Sequence, residues 1–124
     1  AFTYFKKNGG GPLAVISSIA GTKGLGVAPA YSATKRFQNT YIDALEQLSY
    51  LQKLHIRFTD IRPGFVDTAM TKGEGLFWVT PVDKAVKQIK KAISKKKKVA
   101  FISKRWRYVT ILFRLLPSAI YCRM

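Results

Sequence analysis

Apolar positions along this chain form short runs and longer periodic stretches, punctuated by glycine, proline and lysine. Phe2 and Phe5 lie three apart ahead of Gly9-Gly10-Gly11-Pro12, which suits the end of a helix over residues 1–8 and a sharp stop after it. Leu13 to Ser17 is a short, mostly apolar run between turn signals, the pattern of a strand buried on both faces of a parallel sheet. Ser18 to Pro29 is rich in Gly and Ser and predicts a loop. From about Ala30, the residues Phe37, Tyr41, Ala44, Leu45, Leu48 and Leu51 recur at helical spacing, while Arg36, Asn39, Asp43 and Gln47 fall off that stripe. Ile56 to Ile61 predicts a second strand, which Pro63-Gly64 ends in a turn. Residues 67–79 predict a loop with Gly73 and Gly75 and an apolar patch, Leu76-Phe77-Trp78-Val79. Thr80-Pro81 predicts a helix start, with Thr80 as N-cap, Pro81 first in the helix and Asp83 at its positive end. Val82, Val86, Ile89 and Ile93 give that helix an apolar stripe, with Lys84, Lys87, Lys90 and Lys91 largely on its wet side. A charged turn over Lys95–Lys98 then leads to a third apolar run, Val99 to Ile102.

Strand, helix, strand, helix, strand is the order of an α/β layer fold with a parallel sheet and right-handed crossovers. Residues 1–103 carry that pattern, and 104–124 form a basic amphipathic tail. In the tail, Trp106, Val109, Phe113, Leu116 and Ile120 make a helical stripe among Arg105, Arg107, Arg114 and Arg123. Arg114 and Pro117 interrupt it, and it is too short to span a bilayer, which takes about 20 apolar residues. Two readings stay open: a helix docked on the core or on a neighbouring subunit, and an interfacial helix at lipid headgroups.

Composition sharpens this picture unevenly. At 124 residues and 48% hydrophobic, the chain is one domain's worth of sequence with enough apolar surface for a core. It begins without Met and is expected to be a piece of a longer protein. The start lacks the apolar run of a signal peptide, and the single Cys122 forms no internal disulfide. A reducing compartment such as the cytoplasm is the expectation. Residues 1–83 hold nine Lys/Arg and all six Asp/Glu, a net +3; residues 84–124 hold thirteen Lys/Arg and no acid, a net +13. Such a tail suits an anionic partner, or else a solvated lysine-rich surface. Nucleic acid is not expected: Lys95–Lys98 lacks interleaved aromatics, and no helix-turn-helix or zinc pattern is present. His55, the only histidine, has no companion ligands for a metal.

The chemistry concentrates between Ile16 and Lys35, where Ser18, Tyr31 and Lys35 provide a hydroxyl, a phenol and an ammonium. Tyr31 and Lys35 lie four apart at a helix start, so both side chains share one face. A free phenol, with a pKa near ~10, is a poor base at neutral pH. A nearby ammonium favours its phenolate, and a serine hydroxyl aimed at the same point steadies a developing oxyanion. Together the three can protonate a carbonyl oxygen as hydride reaches its carbon, or do the reverse on an alcohol. A nicotinamide cofactor would supply the hydride.

These residues resemble the active-site region of the classical short-chain dehydrogenase/reductase family. Ile16-Ser17-Ser18-Ile19-Ala20-Gly21 resembles the family's catalytic-serine strand end. Tyr31-Ser32-Ala33-Thr34-Lys35 is similar to its Tyr-x-x-x-Lys element, with Ser18 at the expected distance before it. Arg62-Pro63-Gly64-Phe65-Val66-Asp67-Thr68 resembles its Pro-Gly turn after the next strand. The resemblance spans about residues 9–103. It implies the C-terminal half of a Rossmann-like doubly wound parallel sheet, and an oxidoreductase dependent on NAD or NADP that interconverts a carbonyl and an alcohol. Tyr31 would be the general acid/base, Lys35 would also hydrogen-bond the nicotinamide ribose, and Ser18 would hold the substrate carbonyl. Pro63, Gly64, Val66 and Thr68 would line the nicotinamide, and residues 69–79 would correspond to the substrate lid. The helix starting near Tyr31 would resemble the one many members use to form homo-oligomers.

The departures matter as much. The family's glycine-rich dinucleotide turn has no counterpart here, because Gly9-Gly10-Gly11 precedes a strand and not a helix. The stretch alone is therefore expected to be inactive. Asp60 is an acid inside a strand pattern, expected at an edge or paired with Arg57 or Arg62. Asp67 reads as a turn or surface residue, and Trp78 either as a lid anchor or as a substrate contact. The apolar lid patch and the aromatic tail suit an apolar or lipid-like ketone. The rival reading is a membrane-surface binding module on a catalytically silent member of the same fold.

Overall fold

The computed structural model describes residues 1–69, 71 and 76–123. Gly73 and Gly75, expected in the loop before the second long helix, lie outside the described residues. A short helix, α1 (Phe2–Lys7), precedes strand β1 (Gly11–Ile16). Helix α2 (Pro29–Leu51) leads to β2 (Ile56–Pro63), and α3 (Val82–Ser94) leads to β3 (Val99–Ile102). Two further helices follow, α4 (Trp106–Leu115) and α5 (Ser118–Tyr121).

The three strands form one parallel sheet in the order β1-β2-β3, so the expected α/β architecture is borne out. Gly11 stands opposite Ile56 and Ile16 opposite Ile61; Asp60 stands opposite Val99 and Pro63 opposite Ile102. All strands run the same way, so their C-terminal ends gather at one edge, carrying Ile16, Pro63 and Ile102. Side chains alternate across β2. Ile56 and Phe58 pack with Ile42 and Leu45 of α2 and with Phe2 and Phe5 of α1. Ile61 and Ile102 pack with Ala85, Ile89 and Ile93 of α3. Helices thus cover both faces of the central strand, as a doubly wound sheet requires.

The glycine run makes a helix–turn–strand link. Gly10 and Gly11 have φ of 107° and 153°, and a Cβ at either would collide with the His55 backbone or the Phe5 ring. The run is therefore a packed connector between α1 and β1 and not a turn opening a helix.

Four sequence expectations need correction. β1 is buried on one face only: its residues alternate between half-buried and exposed, and Ile16 is 58% exposed. β1 is the outer strand here, and no described element packs on its second face. On α2 most of the regular apolar stripe faces solvent, with Phe37 65% and Tyr41 55% exposed and Leu45 packed on the core, while Ser32, Asn39, Ile42 and Ser49 are buried. Asn39 meets the polar strand ends and Ile42 the apolar part of the sheet, while Ser32 and Ser49 bond to the loops that flank the helix. On α3 the buried row is centred on Ala85, Ile89 and Ala92, leaving Val82 and Val86 about half exposed. Small alanines let this helix lie close to the sheet. Finally, Thr80 is not the helix cap. It is buried and bridges Val66, its N–H donating to Phe65 O and its carbonyl accepting from Asp67 N, and Pro81 takes the cap position.

The tail folds back onto this unit. Trp106 and Thr110 are buried, and Val109, Phe113 and Leu116 are half-buried, as the docked stripe predicts. Ile120 departs from the stripe and is exposed, because Pro117 ends the first helix and α5 starts afresh. No described helix is long and apolar enough to cross a membrane.

Candidate active site

The C-terminal ends of β1 and β2 meet two of the sequence-predicted residues, Ser18 through Pro63 O and Lys35 through Ile16 O. Ser17 continues the ladder beyond β1, its N–H donating to Ile61 O at 2.8 Å. The chain then turns sharply into a 3₁₀ turn, Ile19–Gly21, capped by the hydroxyl of Ser18, which accepts from Ala20 N at 3.1 Å. The same hydroxyl reaches Pro63 O at 3.4 Å. Ser18 is buried, and this pair of contacts fixes it between the two strand ends.

Helix α2 begins at Pro29, whose fixed φ suits a first turn. Tyr31 and Lys35 follow on one face, with Lys35 Nζ 5.6 Å from the Tyr31 ring centroid. Lys35 Nζ also donates to Ile16 O at 3.3 Å and to Gln38 Oε1 at 3.1 Å. The ammonium therefore ties the start of α2 to the end of β1, two residues before Ser18. Tyr31 is 43% exposed, so its phenol stands at an open surface and not in the core.

Among the residues expected to line a cofactor, Pro63 closes β2 and Gly64 donates to Ile102 O at 2.6 Å. Val66 is held by its bridge to Thr80. The Thr68 side chain is exposed, with its hydroxyl 3.2 Å from that of Thr71. A Cβ on Gly64 would overlap the Trp106 indole, so the tail packs directly over the Pro-Gly turn. Trp106 stacks edge-on with Phe65 at 5.4 Å, and Phe77 and Trp78 lie 5.2 and 5.7 Å from it. The described end of the loop, with Trp78, is thus anchored on the tail. The buried Trp106 Nε1 has no hydrogen-bond partner among the described residues.

Behind the site lies a buried polar cluster. Asp60, 2% exposed in the central strand, accepts from Ser17 Oγ (2.5 Å), Asn39 Nδ2 (2.8 Å) and Arg62 Nε (2.7 Å). Asn39 Nδ2 also donates to Ser17 Oγ at 2.9 Å. Of the alternatives for Asp60, pairing with Arg62 holds and an edge position does not, since β2 is central. Sequence reasoning missed Asn39 by assigning it off the buried stripe. Its signal was present: Tyr31, Lys35 and Asn39 are spaced four apart and so form one row. Gly21 lets this happen, because any Cβ there would overlap Asn39 Oδ1 and lie 2.8 Å from the Lys35 carbonyl.

A second strap joins the tail to the loop after Ser18. Lys23 Nζ donates to Leu116 O at 2.7 Å and sits 4.4 Å from the Tyr121 ring centroid, and the Tyr121 hydroxyl donates to Gly24 O. An open groove of about 460 Å³ runs along this loop, lined by Gly21, Thr22, Lys23, Pro29 and Ala33. Among the described residues no group of His, Cys, Asp and Glu is arranged to hold a metal.

Residues 1–76 match the family model described as short chain dehydrogenase. An uncharacterized oxidoreductase of Myxococcus xanthus is 41% identical over 61 residues, 49% of this chain and 23% of that protein. One from Mycobacterium tuberculosis is 38% identical over 72 residues, 57% of this chain and 28% of that protein. A short chain dehydrogenase from Burkholderia cenocepacia, solved in complex with NADP, superposes with a TM-score of 0.79 at 18% identity. It covers 98% of this chain and 49% of its own. A 3-ketoacyl-ACP reductase from Sinorhizobium meliloti gives a TM-score of 0.54 at 24% identity, over 80% of this chain and 49% of its own. The chain thus spans about a quarter of the curated relatives and about half of these solved structures, which at such identities speak for the fold alone. A family match over more than half the chain, enclosing Ser18, Tyr31 and Lys35, makes this chain a member of the short-chain dehydrogenase family.

Proposed function

We propose that this chain supplies the proton-handling half of an oxidoreductase that uses NADP or NAD to interconvert a carbonyl and an alcohol. The observation that carries the reading is the position of Lys35, whose ammonium lies beside Tyr31 and is hydrogen-bonded to the strand that presents Ser18. The donor set suits a nicotinamide ribose. Two of the three ammonium N–H groups are directed to Ile16 O and Gln38 Oε1 among the described residues, which leaves one for a ribose hydroxyl. The cofactor when bound supplies or takes up the hydride.

In the reducing direction Tyr31 gives its phenolic proton to the carbonyl oxygen, and the positive charge of Lys35 steadies the phenolate left behind. Ser18, held by Ala20 N, turns its one hydroxyl hydrogen from Pro63 O, 3.4 Å away, to the same oxygen. In the oxidising direction the phenolate takes the alcohol proton. The NADP bound to the Burkholderia cenocepacia relative and the family match support the choice of cofactor class. The exposed apolar stripe of α2, with Phe37 and Tyr41 stacked at 5.6 Å, supports a second copy of the protein as an oligomeric partner.

The test is Tyr31→Phe in the full-length protein, with cofactor consumption followed across a panel of ketones. General acid catalysis is worth about 10²–10⁴-fold, so turnover is expected to fall by at least the lower figure while cofactor fluorescence titrates unchanged. Turnover within a few-fold of the unmodified protein would remove Tyr31 from the mechanism.

A further inference from the structure

The outward face of α4 has no role in the proposed chemistry. Its inward face carries the buried Thr110 and Trp106, and Trp106 packs on Gly64 and Phe65. The outward face carries Tyr108 (75% exposed), Ile111 (45%), Leu112 (58%) and Leu115 (75%). At 100° per residue these four span about a third of the helix circumference, opposite Trp106. Arg107 and Arg114 flank them on one side and Arg105 on the other, all exposed. Exposed Ile120 and Arg123 extend the same composition beyond Pro117. The stripe cannot turn inward, because Trp106 holds the N-terminal end of α4 and the Lys23–Leu116 and Tyr121–Gly24 contacts hold the other.

We propose that this face seats the protein on a bilayer surface bearing anionic lipid headgroups. The helix has ten residues, about 15 Å, which suits lying in an interface and not crossing one. Leucine, isoleucine and tyrosine enter the headgroup–acyl boundary while arginines on both flanks meet phosphates. Charge selects this occupant over a second copy. Residues 84–124 carry thirteen Lys/Arg and no acid, so two such faces repel one another, whereas anionic lipid complements them. The outward stripe of α2 differs in this respect, since Asp43 and Glu46 lie on that helix. The inference stands independently of the proposed oxidoreductase activity.

Co-sedimentation of the full-length protein with sonicated vesicles tests it, comparing phosphatidylcholine alone with phosphatidylcholine containing phosphatidylserine. Binding is expected only with phosphatidylserine, and it weakens as salt is raised. Arg107→Ala with Arg114→Ala is expected to weaken binding about 25-fold, roughly five-fold for each arginine at an anionic surface. Leu112→Gln with Leu115→Gln is expected to weaken it by at least about tenfold. Thermal unfolding by circular dichroism checks that both variants keep the fold. Failure of the full-length protein to sediment with phosphatidylserine vesicles overturns the proposal. So does binding unchanged in both folded variants, which assigns attraction to the lysines of α3 and its turn. A dimer that Leu112→Gln and Leu115→Gln disperse, without vesicle binding, overturns it in favour of a second copy.

Discussion

Replacing Asp60 separates two ways in which a buried carboxylate can matter. Its Oδ2 accepts from Asn39 and from both Arg62 Nε and a terminal Arg62 nitrogen, the last two at 2.7 Å, and its Oδ1 accepts from Ser17. In Asp60→Ala, Arg62 and Asn39 lose their acceptor together. Stranding one member of a buried ion pair costs about 3–5 kcal/mol. The Arg62 side chain is 17% exposed and reaches some water, which places the expected loss near the lower end, about 3 kcal/mol. Asp60→Asn is different. Its amide oxygen can take the Oδ2 position and keep Asn39 and Arg62. Its NH₂ then faces Ser17 Oγ, whose hydroxyl can turn to Ile61 O, already 3.1 Å away. Only the charge is lost, and exchanging a charged for a neutral acceptor costs about 1–1.5 kcal/mol. Urea denaturation of the full-length protein measures both, with midpoint shifts of roughly 1–3 M and roughly 0.3–1.5 M at ordinary m-values, the alanine shift being about two to three times the asparagine shift at any one m-value. An alanine variant within about 1 kcal/mol of the unmodified protein would refute the cluster as a stabilising unit. Equal losses for alanine and asparagine would refute the rearrangement.

Gly21→Ala is expected to cost about 1–3 kcal/mol, since the new methyl group overlaps Asn39 and the Lys35 backbone; a neutral result in the same denaturation assay would deny the close approach. Lys98 is raised above its usual range by a hydrogen bond to Glu46 and then by that carboxylate's charge. A raised lysine contributes stability that is complete below its unfolded value of 10.5 and lost as pH climbs through the folded value. Glu46→Gln is therefore expected to remove a small, salt-screened loss of stability on the alkaline side, small because the Lys98 side chain is 65% exposed. Alkaline melting curves that superpose for the two proteins at low salt would contradict it.

The elements were legible because turn chemistry and apolar runs are local. β3 is the run Val99–Ile102, and β2 begins at Ile56 as its pattern indicates. Faces were less legible. Periodicity says that a helix has an apolar side, but not whether the sheet, another copy or nothing covers it. On α2 the stripe through Phe37 and Tyr41 is real and points outward, while the buried row runs through Ser32, Asn39, Ile42 and Ser49. A hydrophobic scale picks out Ile42 in that row but passes over its two serines and asparagine. Val82 and Val86 misled in the same way, because contact with the sheet favoured the smaller Ala85 and Ala92. In the site, Ser18, Tyr31 and Lys35 were legible from spacing, but Gly21 and Gln38 act through contacts that no spacing rule contains.

Asp60 shows why the one local anomaly was informative. An acid in a central strand is costly unless donors surround it. Those donors must come from elements adjacent in space: the residue after β1, the α2 row that follows Lys35, and the next outward position of β2. Ser17, Asn39 and Arg62 occupy these places. The carboxylate therefore fixes the register of α2 along the strand ends. A slide of α2 by one turn would bring Lys35 to the place of Asn39, breaking the amide bonds and moving the ammonium away from Ile16 O. The alignment that satisfies the buried acid is the one that bonds Lys35 to Ile16 O, two residues before Ser18, with Tyr31 one turn earlier on the same face. A polar cluster with fixed donors and acceptors is satisfied in one alignment, whereas leucines on the same row would pack acceptably in several.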